Sequence, residues 1–259
     1  MTCPRCLRPV PPGLAACPTC GLQGAQGTTL TTAPQVLAPP VAPPRRLAQA
    51  LVGLLALGAV VDLLGLLTGW RYAAGIQGLL SDPLADASAV SGVEQVYALL
   101  GGAQLLTSGC TIVLWLVWQY RTYGAVRDLG APGLLRYSQG WSVGAWFVPF
   151  VNLVRPLRMV DDLWTGADPD LPEHGPLTAG PGSRLVPAWW GAFLLGEVLN
   201  RITGRLPGET LEDLHTAALL GMANDLAWLV AGGLALVLVH RLSQRVLAQA
   251  RVRGRLAVR

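Results

Sequence analysis

The chain has 259 residues, of which 52% are hydrophobic and only 13% are charged. This composition excludes an ordinary soluble domain and favours a multi-pass membrane protein. All 19 basic residues are arginines. Arginines of membrane proteins concentrate in cytoplasmic segments, and this accounts for the positive net charge of the chain. Nucleic acid is therefore not an expected partner.

The N-terminus carries two cysteine pairs, in CPRCLRPVPPGLAACPTCG over residues 3 to 21. Two Cys-x-x-Cys turns can close a tetrahedral four-thiolate site, so residues 1–22 are predicted to form a ribbon around a structural Zn²⁺. Two disulfides or a redox site are the alternatives; a cytoplasmic start and the lack of a βαβ pattern disfavour them. The predicted ligands are Cys3, Cys6, Cys17 and Cys20.

A Pro-rich segment over residues 23–45 follows and is predicted to be a disordered linker. A membrane domain over residues 46–245 comes next, with four stretches of about 20 apolar residues that could cross a bilayer. They are residues 47–67, 98–118, 185–203 and 219–239. The third is the least apolar, because Glu197, Asn200 and Arg201 lie in its last two turns.

Arginine placement predicts the topology. With both termini inside, four spans leave only Arg71, Arg201 and Arg205 outside, and a fifth span would largely remove that bias. Residues 246–259 are then a basic cytoplasmic tail, which either lies against anionic lipid or is solvated.

The segment WFVPFVNLVRP, residues 146–156, is predicted not to cross, because Pro149 and Pro156 break it. We expect it to dip into the cytoplasmic interface, with Asn152 capping the next helix or bonding freed backbone groups. Pro156 should then begin an amphipathic surface helix. Its predicted apolar face is Leu157, Val160, Leu163 and Trp164, and its polar face is Arg158, Asp161 and Asp162; Trp141, Trp146 and Trp164 are the expected interfacial anchors.

The same segment carries a resemblance. Ten residues in and beside it match a long sequence motif: Gly140, Trp141, Trp146, Phe147, Pro149, Asn152, Leu153, Pro156, Asp162 and Trp164. Through this motif the chain resembles a bacterial membrane family known as domain of unknown function 4328. Val154 and the pair Asp161-Asp162 depart from the usual pattern. The resemblance implies a bacterial inner-membrane location, often an N-terminal zinc ribbon, and no known reaction.

Polar residues inside the predicted spans are the remaining candidates for a site. Asp62, Glu197 and Asp225 fall in the outer half of the bilayer, where acids are costly. They indicate either a proton or cation path or local pairing, such as Glu197 with Arg201; whether the three form one site stays open. The second span adds a polar stripe for interhelical bonding or a conduit: Gln104, Thr107, Ser108 and Thr111.

No catalytic motif accompanies these residues, so an enzyme is not expected. The leading hypothesis is a non-enzymatic membrane adaptor or sensor whose zinc ribbon engages a cytoplasmic protein, with the bilayer and further copies of the chain as other partners. The alternative is a small transporter or channel that uses the intramembrane acids.

Overall fold

A computed structural model describes residues 43–82, 88–129, 135–170 and 182–253, and these ranges contain helices and no β-strand. The helices are α1 (Arg45–Ser81), α2 (Ser88–Asp128), α3 (Trp141–Gly144), α4 (Arg155–Gly166), α5 (Leu185–Thr203) and α6 (Leu211–Val252), with a 3-10 turn at Val151–Leu153. The all-α prediction is confirmed for these ranges. The four predicted zinc ligands lie outside the described residues.

Among the described residues, three helices are long and apolar enough to cross a membrane: α1, α2 from Val90 onward, and α6. They contain predicted spans one, two and four. At 1.5 Å per residue each extends over roughly 55 to 63 Å, about twice the hydrocarbon thickness. Helix α5 has the bounds predicted for span three, but it is not among the helices that reach this hydropathy. The described part of the chain is therefore helical, with three helices that could cross a membrane.

Helix α1 packs along both α2 and α6, and α5 packs on α6. The larger of two apolar cores joins the first turns of α1 and α5 to the last turns of α2 and α6; it includes Leu51, Trp118, Val186 and Leu242. The smaller core, around Tyr72, Ile76 and Ala218, lies at the other end of the helices. We refer to the end with the larger core as the arginine end, because the described arginines other than Arg71, Arg201 and Arg205 lie on its side.

The segment between α2 and α4 is broken, as its prolines predict. Helix α3 is one turn long, and a 3-10 turn precedes α4, whose first turn contains Pro156. Of the two roles considered for Asn152, capping of α4 does not occur, because Val154 is the N-cap residue and makes no capping bond through its side chain.

Helix α4 is not the surface helix that its pattern predicts. Met159, Val160 and Leu163 lie in the larger core, and Asp162 beside them is only 1% exposed. The reason is Arg136, whose Nε lies 2.9 Å from Oδ1 of Asp162 and whose backbone N–H donates to Oδ2 at 3.0 Å. An aspartate with these partners can turn inward with the apolar face.

Helix α6 continues beyond residue 245 into the segment predicted to be a basic tail. It ends at Val252, and Val246 and Ala250 are buried. The buried Gln249 side chain donates to the carbonyl oxygen of Gly166 at 2.9 Å. The last turns of α6 thus hold α4 against the bundle.

Candidate intramembrane site

Three polar side chains from three different helices meet inside the bundle. Gln104 of α2 donates through Nε2 to Oδ1 of Asp225 on α6 at 2.8 Å and to Oδ1 of Asp62 on α1 at 3.3 Å. Asp225 is 5% exposed, while Asp62 and Gln104 are partly buried. One amide group therefore bridges two carboxylates, and we call these three residues the carboxylate pair site.

A glycine makes room for this contact. A methyl group built at Gly65 would lie 2.8 Å from Oδ2 of Asp225 and 3.1 Å from Nε2 of Gln104, closer than carbon atoms approach such groups. The position lies one turn beyond Asp62 on the same face of α1. The close approach of the three helices at this level depends on the missing side chain.

The carboxylate pair site lies at the level of the apolar surface of the bundle. Exposed apolar side chains flank Asp62 along α1, Gln104 along α2 and Asp225 along α6. Those nearest are Val60, Leu63 and Leu64, then Leu105 and Leu106, then Leu226 and Val230. In a bilayer these residues face acyl chains, so the site lies within the hydrocarbon region.

Glu197 does not join the site. Its carboxylate pairs with Arg201 one turn later, at 3.3 Å from Nη2, which is the local pairing considered from the sequence. The hydroxyls of Thr107 and Thr111 also stay local, since they donate to carbonyl oxygens of α2 at 2.9 Å and 2.7 Å. From the predicted polar stripe, Gln104 provides the bonds to other helices.

The surroundings of the site differ toward the two ends of the bundle. Toward the arginine end, buried apolar and indole side chains fill the interior, including Leu55, Trp118, Ala235 and Leu238. Toward the other end, the Tyr97 hydroxyl packs on Gly221, one turn before Asp225 in α6. The Tyr97 ring stacks on Tyr72 with centroids 5.7 Å apart. A hydroxyl group thus lies between the site and the end opposite the arginines.

An aromatic cluster around Gln119 was not identified from the sequence. Gln119 is fully buried, and its Oε1 accepts the indole N–H of Trp115 at 2.9 Å and of Trp146 at 3.1 Å. Trp189 stacks on Trp115 at 5.0 Å, and Trp190 stands edge-on to Trp146 at 5.8 Å. The sequence signal for this contact is that Trp115 and Gln119 are four residues apart on one helix, which places them on the same face.

The residues of the family motif lie around this cluster. Trp141 stacks under the guanidinium of Arg155 at 4.0 Å, and Trp164 stacks under that of Arg245 at 4.7 Å. Trp146 is bonded to α2, whereas Pro149 is exposed. The three tryptophans predicted to be interfacial anchors therefore have different surroundings. Trp146 packs against the protein interior, whereas the ring of each of the other two is covered by an arginine side chain.

Within the described ranges, no three side chains among His, Cys, Asp and Glu are grouped so that they could hold a metal ion. The carboxylate pair site offers two acidic groups and one amide. Its chemistry is therefore that of hydrogen bonding and proton exchange.

Neither a curated protein nor a solved structure gives a significant match to the chain. The sequence model of one family, described as "Domain of unknown function (DUF4328)", matches residues 81–244. That range includes Gln104, Asp225, the aromatic cluster and the whole of the motif segment, and it is more than half of the chain. The protein therefore belongs to the DUF4328 family.

Proposed function

We propose that this protein is a non-enzymatic membrane sensor that binds and releases a proton at the carboxylate pair site. The observation that carries the proposal is the bridging of Asp62 and Asp225 by one Gln104 amide at the level of the lipid-facing surface. Acidic residues at that depth are costly and usually functional.

The geometry favours one bound proton. Two ionised carboxylates on one amide would place two negative charges side by side in a medium that solvates neither. One proton halves that charge and still leaves the carboxylate oxygens that accept from Gln104. The amide nitrogen also occupies the place between the two acids where a metal cation would bind, so a proton suits the site better than a cation does.

A sensing role is favoured over transport by the unequal surroundings of the site. A transported proton needs a route to both sides, and buried apolar and indole side chains fill the interior toward the arginine end. The opposite side contains the smaller apolar core, but it also places the Tyr97 hydroxyl near the site. The site is then in exchange with one side of the membrane, and its protonation changes how α1, α2 and α6 are held together.

Infrared difference spectroscopy of the full chain in lipid vesicles tests the proposal. A shift of external pH should change the C=O stretching band of a protonated carboxylic acid, and Asp62→Asn or Asp225→Asn should remove that change. Glu197→Gln is the matched control, because Glu197 lies in a helix of the same bundle but pairs with Arg201. A carboxylic acid band that both aspartate variants leave unaltered would refute the proton site.

Proton flux separates the sensor from the transporter. Vesicles with an imposed pH gradient should dissipate it at the same rate with and without the protein. A protein-dependent flux that Asp62→Asn and Asp225→Asn both abolish would instead establish the transporter or channel alternative.

The finer topology is also proposed: four spans, with α5 as the third, both termini in the cytoplasm, and the bacterial inner membrane as the location. Support comes from the helix bounds of α5, Leu185–Thr203, and from the gathering of arginines at one end of the bundle. Helix α5 carries Glu197 and Arg201 as an ion pair, which lowers the cost of placing both near a membrane surface.

We further propose that Cys3, Cys6, Cys17 and Cys20 hold a structural zinc ion in a ribbon that engages a cytoplasmic protein. The paired spacing of the cysteines supports this proposal. Metal analysis of the purified chain should give about one zinc per chain, and a Cys17→Ser, Cys20→Ser variant should lose it. A full zinc content in that variant would place the metal elsewhere.

A further inference from the structure

The broken segment between α3 and α4 exposes a row of apolar side chains. Its tip, residues 147–154, includes Phe147 and Phe150, which are 70% and 84% exposed, and Val148, Leu153 and Val154 are also exposed. The tip contains no charged residue. We call residues 147–154 the apolar finger.

The apolar finger is fixed to the bundle at both of its ends. The Trp146 indole donates to Gln119 of α2 at 3.1 Å, and the Trp190 indole of α5 donates to the carbonyl oxygen of Leu153 at 3.1 Å. Between these bonds the residues form successive turns. The exposure of the tip is therefore imposed by the fold, since neither end can move without breaking a partly buried hydrogen bond.

Phe150 occupies a conformation that a bulky residue rarely adopts. Its φ is 62°, and the Val151 N–H donates to the Pro149 carbonyl oxygen at 2.7 Å, which is the bond of a γ-turn. The turn aims the phenyl ring away from the protein. In water this conformation would combine backbone strain with an exposed aromatic ring, so a surrounding that favours the ring is needed.

Helix α2 gives the level of the finger relative to the bilayer. Its exposed apolar residues end with Val113 and Val117, and Tyr120 and then the exposed Arg121 follow. An aromatic residue followed by an arginine is typical of the boundary between hydrocarbon and headgroups. Gln119, which accepts the hydrogen bond of Trp146, lies between Val117 and Arg121. The apolar finger therefore projects from the bundle at the hydrocarbon–headgroup boundary on the arginine side.

We infer that the apolar finger inserts Phe147 and Phe150 among the acyl chains of the leaflet at the arginine end. Lipid is the occupant that fits, because the finger continues the lipid-facing surface of α2 at its boundary. The exposed Arg121 and Arg158 lie on the same side of the protein, where they can meet anionic headgroups. A protein partner would be expected to face a polar rim around the apolar tip, whereas residues 147–154 offer Asn152 as their one polar side chain.

Photocrosslinking of the full chain tests this inference. The protein, with p-benzoylphenylalanine in place of Phe150 or Phe147, is reconstituted in vesicles of phosphatidylethanolamine and phosphatidylglycerol and irradiated. The same amino acid in place of the exposed Asp170 is the control, because this residue lies beyond α4 on the arginine side. Intact-mass measurement should show protein–lipid products at positions 150 and 147 several-fold more often than at position 170.

The inference is independent of the proton site, since Asp62→Asn should leave the lipid products unchanged. A product between two chains at position 150, or lipid products no more frequent there than at position 170, would overturn it. The added benzoyl group enlarges the side chain, but all three positions are exposed, and an unchanged elution profile in detergent shows that each variant is folded.

Discussion

Gly65 sets how closely α1 approaches the other two helices of the carboxylate pair site. The missing side chain lets Asp225 and Gln104 reach the backbone of α1, where a methyl group would lie within 2.8 Å of a carboxylate oxygen. Glycine within a helix ordinarily costs stability, so its presence here reflects this contact.

Gly65→Ala should therefore destabilise the protein, by about 1 to 3 kcal/mol, because the carboxylate and the amide must both shift. Thermal unfolding in detergent measures the effect. Gly58→Ala is the matched control on the same helix, since nothing lies within 4 Å of the added carbon. That variant should unfold at the same temperature as the parent chain or higher. An equal loss in both variants would mean that the cost arises from the helix and not from the site.

The acids of the carboxylate pair site could be found from the sequence, but their partner could not. Asp62 and Asp225 were candidates because charges within apolar runs are rare. Which of the several polar residues bridges them depends on how α1, α2 and α6 pack, and Gln104 lies 42 and 121 residues away from the two acids. Glu197 had the same sequence signal, and it is held by its neighbour Arg201 instead.

At the scale of the element, α4 shows how the structure differs from what its sequence pattern predicts. Pro156 predicted the start of the helix to within one residue, since α4 begins at Arg155. The inward turn of Asp162 could not be predicted, because its partner Arg136 lies 26 residues earlier in a segment with no regular pattern. Burial raises the pKa of Asp162 to about 6, and the bond and charge of Arg136 offset only part of that rise.

This raised pKa predicts a pH dependence of stability. The folded chain binds a proton at Asp162 at a pH where the unfolded chain, with the ordinary aspartate pKa of 3.8, does not. As pH falls from about 7 toward 4, the contribution of Asp162 to the free energy of unfolding should rise. In Asp162→Asn this contribution is lost, so the difference in Tm between the parent and the variant should shift in favour of the parent as pH falls.

Thermal unfolding in detergent at about pH 7 and pH 5 measures this difference. Asp161→Asn is the control, because its carboxylate contacts the same arginine, at 3.2 Å, but is partly exposed. This variant should keep most of the pH response. A pH response that is identical in the parent and in Asp162→Asn would show that another group causes it.

At the scale of the whole molecule, composition and arginine placement predicted the helical membrane class, and the long helices agree with it. The predicted spans cover only part of α1, α2 and α6, because an apolar run marks the part of a helix within lipid and not its continuation beyond. The crossing by α5 depends on a helix with Glu197 and Arg201 near its end, for which hydropathy is a weak guide.

Cysteine labelling in intact cells tests this crossing. In a background in which all five native cysteines are replaced, Cys110 by Ala and the four N-terminal ones by Ser, Glu209→Cys and Asp170→Cys place single thiols at exposed positions on either side of α5. If α5 spans, an impermeant maleimide should label position 209 from outside and position 170 only after the membrane is opened. Equal labelling of both positions in intact cells would mean that α5 does not cross.

The uninterrupted length of α1 has a mechanical consequence. Asp62 and Arg45 belong to one helix, and their separation of 17 positions corresponds to roughly 26 Å along its axis. A rigid rod of that length turns a tilt of about 5° at the carboxylate pair site into a displacement of about 2 Å at Arg45. Residues 1–44 precede this helix, so under the proposed function a proton exchanged at the carboxylate pair site would move the point where the N-terminal segment joins α1.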